Sequence, residues 1–415
     1  MKKVHYTIIS VVVLLLLASI QDVNAQKEYR PLKTYIKKGG DINATMGIVN
    51  RLTKDEDFRN DPELYYLAAL CQKQANVGNN TKVYLKQAYD TLSFFNTTYG
   101  MFHYILQCDS IEQLRVGETG KKAKYRQKGY EMLIDYYPNL YNAGIFFTRK
   151  KDYPNAIKFW KMYLDAADSP LFKKANLIET DPKMPRAAFW LMSCSFEAGN
   201  YKDVFLHQEM AQLDTANADL YYQYRAVSYA RLQDSVHYEQ ELINGMAHEP
   251  NEMYFFSNLS DYYNMTGQFD KSLRMTDSLL AQSPDNLLFK FGKAIILFNK
   301  RDYDNCIKIS KEIIASDTAN ADAYYYVGNC YYNLALNIDA DNVANINSKE
   351  YVANRQKMMK LMRESLPYLE IYRSMRPQDK ERWAPLLYNV YLALNDEKKF
   401  TEMETILNQT DKGKK

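Results

Sequence analysis

The side chains able to do chemistry are few and far apart. Beyond residue 25 the chain has four histidines, His103, His207, His237 and His248. None stands in HExxH, which would set two imidazoles on one helical face for a metal, and no GxGxxG, GxxxxGKS/T or GxSxG segment occurs. An enzyme needs a nucleophile with its base, paired carboxylates, a phosphate loop or a metal cluster. With none of these spacings present, the expectation is a protein without catalytic residues, cofactor or metal.

Four weaker patterns invite a reading. Asp339, Asp341, Asn345, Asn347 and Glu350 fall at positions 1, 3, 7, 9 and 12 of a hypothetical calcium loop. Val343 replaces an oxygen ligand and Ala344 replaces the Gly of the sharp turn, so the segment reads as a solvated loop. Five cysteines show no CxxC and no His/Cys cluster. Cys194 and Cys330 are 136 residues apart, four times 34, the behaviour of a small apolar residue on a recurring buried seam. The densest basic run, Lys121-Lys122-Ala123-Lys124-Tyr125-Arg126-Gln127-Lys128, reads as a solvated helix start in a chain whose remaining charge is balanced. Asp, then Ser or Thr, then an aliphatic residue or alanine occurs at Thr91, Ser110, Thr215, Ser235, Ser278 and Thr318. The pattern resembles the O-glycosylation acceptor of exported Bacteroidota proteins, making Thr91, Ser110, Thr215, Ser235 and Thr318 candidate sites. Asp beside Ser/Thr also serves helix ends and turns, and both readings stand.

The elements that carry these residues are helical. In 415 residues, 47% hydrophobic and 25% charged, there are 36 tyrosines but only 15 glycines and 12 prolines, too few turn residues for a many-stranded protein. A formal charge of +3 offers nothing for nucleic acid. Lys2 and Lys3 precede an apolar run from Ile8 to Ile20, followed by Val23-Asn24-Ala25. This is the pattern of a signal peptide, residues 1–25, with cleavage after Ala25 and an exported, periplasmic chain. The run is shorter than the ~20 residues of a membrane span, and without a cysteine at the cleavage site a lipoprotein is not expected.

A step of 34 organises the rest. Asp214-Thr215-Ala216-Asn217-Ala218-Asp219 recurs as Asp317-Thr318-Ala319-Asn320-Ala321-Asp322, 103 residues on. Thr215, Pro250, Pro284 and Thr318 divide that interval into 35, 34 and 34. Within units, apolar residues recur at three and four, the stripe of a buried helix: Leu140, Ala143, Gly144 and Phe147; Phe256, Leu259, Ser260 and Tyr263; Tyr324, Val327, Gly328 and Tyr331. After Gly267-Gln268-Phe269 a second helix follows and ends at Pro284.

On these residues the chain resembles the tetratricopeptide repeat family, whose units run Trp-x2-Leu-Gly-x2-Tyr, then Ala, Phe, Ala and Pro. Residues 251–284 match best, through Phe256, Leu259, Ser260, Tyr263, Gly267, Phe269, Ser272, Leu279 and Pro284. The resemblance implies an all-α solenoid of about ten antiparallel helix pairs in a right-handed superhelix. The expected organisation is divergent repeats at 26–137, a regular array at 138–335, an insertion loop at 336–350, and C-terminal repeats with a cap at 351–415; further insertions are read at 116–122 and 168–184. In the family the first helix of each pair lines an inner groove. Carried over, the groove positions are Ser257, Asp261 and Asn264; Phe291, Ile295 and Phe298; Tyr325, Asn329 and Tyr332. This surface is aromatic and amide-rich, which points to a scaffold binding a protein or peptide segment. The alternative is a glycan-binding component of an outer-membrane uptake system, with tyrosines stacking on sugar rings.

Overall fold

The computed structural model describes residues 26–120, 122–249, 252–340 and 348–412, and every regular element among them is helical. Residues 1–25, the expected signal peptide, and 341–347 lie outside the described residues. The chain forms two compact units, Met1–Glu249 and Pro250–Lys415; the division falls within the stretch 138–335 read from sequence as one array.

The first unit holds α1 (residues 26–38), α2 (Ile42–Leu52), α3 (Pro62–Tyr84), α4 (Thr91–Thr119), α5 (Arg126–Ile134), α6 (Tyr137–Arg149) and α7 (Tyr153–Asp168), then α8 (Leu177–Thr180), α9 (Met184–Glu197), α10 (Gln208–Gln212), α11 (Ala218–Arg231) and α12 (Ser235–His248). The second holds α13 (Met253–Met265), α14 (Phe269–Gln282), α15 (Leu287–Asn299), α16 (Tyr303–Ser316), α17 (Ala321–Ala340), α18 (Lys349–Met375), α19 (Lys380–Ala393) and α20 (Glu397–Lys412), each packed on the next.

The repeat is written into the backbone at the turn inside each pair. Gly199, Gln233, Gly267 and Arg301, spaced by 34, have φ of 74, 62, 70 and 65°. The next N–H then reaches back five residues: Asn200 to Ser195 at 2.8 Å, Asp234 to Tyr229 at 2.9 Å, Gln268 to Tyr263 at 2.8 Å and Asp302 to Leu297 at 2.8 Å. This closure satisfies carbonyls that a helix end leaves without partners. The left-handed conformation costs a non-glycine residue about 1–2 kcal/mol, yet Gln233 and Arg301 adopt it because the following aspartate starts the next helix. Asp234 accepts from the His237 N–H and Asp302 from the Asn305 N–H.

The helical stripes face the core. Leu140, Ala143, Gly144 and Phe147 are all buried on α6, as are Phe256, Leu259, Ser260 and Tyr263 on α13. Cys71, Cys194 and Cys330 lie on α3, α9 and α17, and all five cysteines are free and buried. Gly144 lets α7 approach closely, since a Cβ there would lie 2.5 Å from ring carbons of the fully buried Trp160. Gly144→Ala gains at most about 1 kcal/mol of helix propensity but must displace an indole, at about 1–3 kcal/mol or more. The expected outcome is a lower denaturation midpoint. Gly47→Ala in α2, where a Cβ meets nothing within 4 Å, should raise it and serves as the control.

Three departures from the sequence reading have physical causes. The stretch 336–350 is not a loop throughout: α17 stays helical to Ala340 and α18 begins at Lys349. The long partner helix supplies the surface, with Ala335 packed in one cluster with Met358, Leu361 and Met362. Likewise α4 continues through 116–119, and Gly120 ends it at φ 67°. The second helix after Tyr201 is broken into a short 3-10 turn, Asp203–Phe205, a left-handed His207 at φ 52°, and α10. His207 Nε2 lies 2.9 Å from Asp165 Oδ1, and Arg225 donates to the Gln208 side chain; these contacts hold the chain out of a continuous helix.

Candidate interaction surface

In the second unit the first helices of successive pairs lie side by side, with α13 against α15, α15 against α17, and α17 against α19. Residues one turn apart on each helix share a face.

On α13, Ser257 and Asp261 are exposed. Asn264 is half-buried, and its Oδ1 is a buried acceptor with no hydrogen-bond partner among the described residues. On α15, Phe291 and Phe298 both turn toward Tyr326 of α17, with ring centroids 5.8 and 5.3 Å apart in edge-on geometry. Ile295 between them is half-buried. These phenylalanines therefore join neighbouring helices, and burial pushes the Tyr326 phenol up to about 12.

On α17 the amides are already engaged. Asn333 donates to Asn329 Oδ1 at 2.8 Å, and Asn329 donates to the Tyr325 hydroxyl at 3.0 Å. Each step is four residues, one turn of the same helix. Asn329 is buried. Asn389 of α19 donates to the Tyr332 hydroxyl at 3.0 Å. Both half-buried tyrosines accept through oxygen, which leaves the O–H of each as a donor. The Asn329 amide, by contrast, is consumed within α17.

Arg382 of α19 completes the surface and has no counterpart among the sequence candidates. Its guanidinium sits 4.0 Å from the Tyr325 ring centroid and 5.2 Å from that of Tyr372. It donates to Asp322 Oδ1 at 2.6 Å, and the Tyr372 hydroxyl donates to Asp379 at 3.0 Å. Arg382 is thus neutralised by Asp322 and covered by two rings.

The other sequence patterns have local roles. Thr91 and Ser235 are the first residues of α4 and α12, behind the capping carboxylates of Asp90 and Asp234. Thr215 opens a 3-10 turn and Thr318 lies in the turn before α17, both exposed. Ser110 is exposed but stands within α4, not in a loop. His237 caps with Asp234 at 2.7 Å, and His248 stacks on Tyr222 at 5.1 Å. Burial lowers the His103 pKa, with Lys158 adding to the effect. Burial pushes the Cys71 thiol up to about 12, far from a reactive thiolate. Among the described residues no group of three or more His, Cys, Asp and Glu is placed to hold a metal ion. Most of the calcium-like segment lies outside the described residues.

No family model and no curated protein matches the chain. Among solved structures it is similar to MamA from Desulfovibrio magneticus, at 16% identity and a TM-score of 0.34, over 48% of this chain and 97% of that one. A TPR repeats protein from Bacteroides fragilis aligns at 17% identity and TM-score 0.32, over 62% of this chain and 98% of its own. A tetratricopeptide repeat protein from Parabacteroides merdae aligns at 15% and 0.34, over 64% and 96%. The repeat organisation rests on the helix pairs and the 34-residue step of the turns in this chain.

Proposed function

We propose that this chain is a non-catalytic scaffold of the periplasm that binds a protein or peptide segment along the first helices of its repeats. The observation that carries the reading is the row α13, α15, α17 and α19, which offers Ser257 and Asp261 exposed and the Tyr325 and Tyr332 hydroxyls as donors. Hydrogen-bonding groups spaced over several helices suit an extended ligand. The periplasmic part rests on Lys2, Lys3, the apolar run and the small residues before Gln26. No helix among the described residues is long and apolar enough to cross a membrane.

The test is titration of the purified chain against a peptide library and a glycan library, repeated with Ser257→Arg/Asp261→Arg. Both positions are exposed, so the variant should melt as the parent does. Saturable peptide binding weakened at least tenfold by the variant is the expected result. Saturable glycan binding without peptide binding replaces the reading with a carbohydrate-binding one. Fractionation of the native cell, with Gln26 as the new N-terminus, checks export.

A further inference from the structure

The described part of the basic run, residues 122–128, and the detour 168–184 meet in the first unit. The start of α5 is fixed first. The Glu112 carboxylate accepts the backbone N–H groups of Lys124, Tyr125 and Arg126 at 2.6, 3.0 and 3.0 Å, so the helix start already holds an internal anion. Arg126 then crosses to the detour and donates to the Pro170 carbonyl. The detour is pinned from below by Phe172, fully buried and stacked at 6.2 Å on Phe102, with Tyr130 edge-on to it at 5.6 Å.

Between the two segments lies a cavity of about 510 Å³ lined by Ala123, Arg126, Gln127, Tyr130, Pro170, Leu171, Lys173 and Lys174. Three cations line it and no carboxylate does. Three other cavities, of about 410, 480 and 430 Å³, each mix carboxylates with their cations. Arg126 faces the Asp109 carboxylate at 3.6 Å, and Gln127 donates to the Glu131 carboxylate at 2.8 Å. Lys173 and Lys174 are exposed and, among the described residues, unpaired. Arg126 is matched by Asp109, and Lys173 and Lys174 add two further positive charges to the lining of a concave site. The half-buried Tyr130 supplies a ring.

We propose that this cavity binds a small organic anion carrying two negative charges beside a ring. The volume falls in the range of small-molecule sites. Lys173 and Lys174 attract the charges, Arg126 orients them, and Tyr130 packs against the ring. An acidic disaccharide and a nucleoside diphosphate share this chemistry. The site lies outside the surface proposed for the protein or peptide segment, and its test is independent of that reading.

The experiment is calorimetric titration of the purified chain at low ionic strength with digalacturonate, ADP, a neutral digalactoside and sodium sulfate, repeated on Lys173→Glu/Lys174→Glu. One ring-bearing anion should bind with one-to-one stoichiometry, weaken as salt is added, and lose at least tenfold in affinity in the variant, whose melting should match the parent. Whether digalacturonate or ADP binds identifies the source of the anion. No saturable binding of either, binding unchanged in the variant, equal binding of the neutral disaccharide, or sulfate bound as tightly as the ring-bearing anions would each overturn the proposal.

Discussion

Glu241→Ala lowers the stability of the first unit by about 3–5 kcal/mol, the usual consequence of removing one member of a buried ion pair. The Arg225 and Glu241 side chains are only 11% and 6% exposed, too little for water to replace a missing partner. Arg225 Nε and Nη2 donate to the two carboxylate oxygens at 2.9 and 2.7 Å, a two-pronged pair between α11 and α12. The Tyr221 and Phe205 rings lie 5.1 and 5.7 Å from the guanidinium, so the charge is enclosed on several sides. Removing Glu241 leaves that charge with the ring faces, the Gln208 side-chain carbonyl and the weaker attraction of the Glu209 carboxylate. Chemical denaturation followed by tryptophan fluorescence, with Trp160 and Trp190 reporting on this unit, measures the loss. Arg225→Met/Glu241→Leu should recover most of it, because an apolar pair leaves no charge to desolvate. A single variant as stable as the parent would show that the pair is solvated.

Raising the pH above about 10, the ordinary tyrosine value, unfolds the chain cooperatively. Burial raises the pKa of Tyr29, Tyr137 and Tyr163, and pushes the phenols of Tyr221, Tyr326 and Tyr372 to about 12. Tyr163 is further held neutral by Tyr137 and by donating to Asp181. A phenol with a raised folded-state pKa contributes its full stability below about 10 and loses it as pH climbs toward the folded value. Each of these groups acts in the same direction, so their losses accumulate between about 10 and about 12. The part of the phenolate absorbance that comes from these buried tyrosines should appear together with loss of helical circular dichroism. Tyr163→Phe keeps the ring and removes the titrating group, and should move the transition to higher pH; stepwise phenolate formation in a chain that stays helical would refute the account.

Much of the fold was readable in one dimension because its signals are local. The closure at each turn spans five residues and each cap spans three, so Gly267-Gln268-Phe269 could be read as the end of one helix and the start of the next. The stripes on α6 and α13 could be counted for the same reason. The broken helix after Tyr201 was hidden, because its cause is Asp165, 42 residues before His207. The continuation of α17 past residue 335 was hidden too, since an Asn/Asp-rich stretch reads as a loop until a second helix is known to lie against it.

The candidate surface divides in the same way. Its candidate positions were carried over from the family resemblance, and that the residues so chosen on each of α13, α15 and α17 share a face follows from 3.6 residues per turn. What each one does depended on contacts across the chain. Arg382 reaches Asp322 over 60 residues, and Asn389 reaches Tyr332 over 57; Arg126 reaches Pro170 over 44. The sequence by itself determined helix, turn and repeat, because hydrogen bonds between near neighbours decide them. Only the tertiary structure decided which polar groups are consumed inside the protein and which stay open, because that depends on the helix packed alongside.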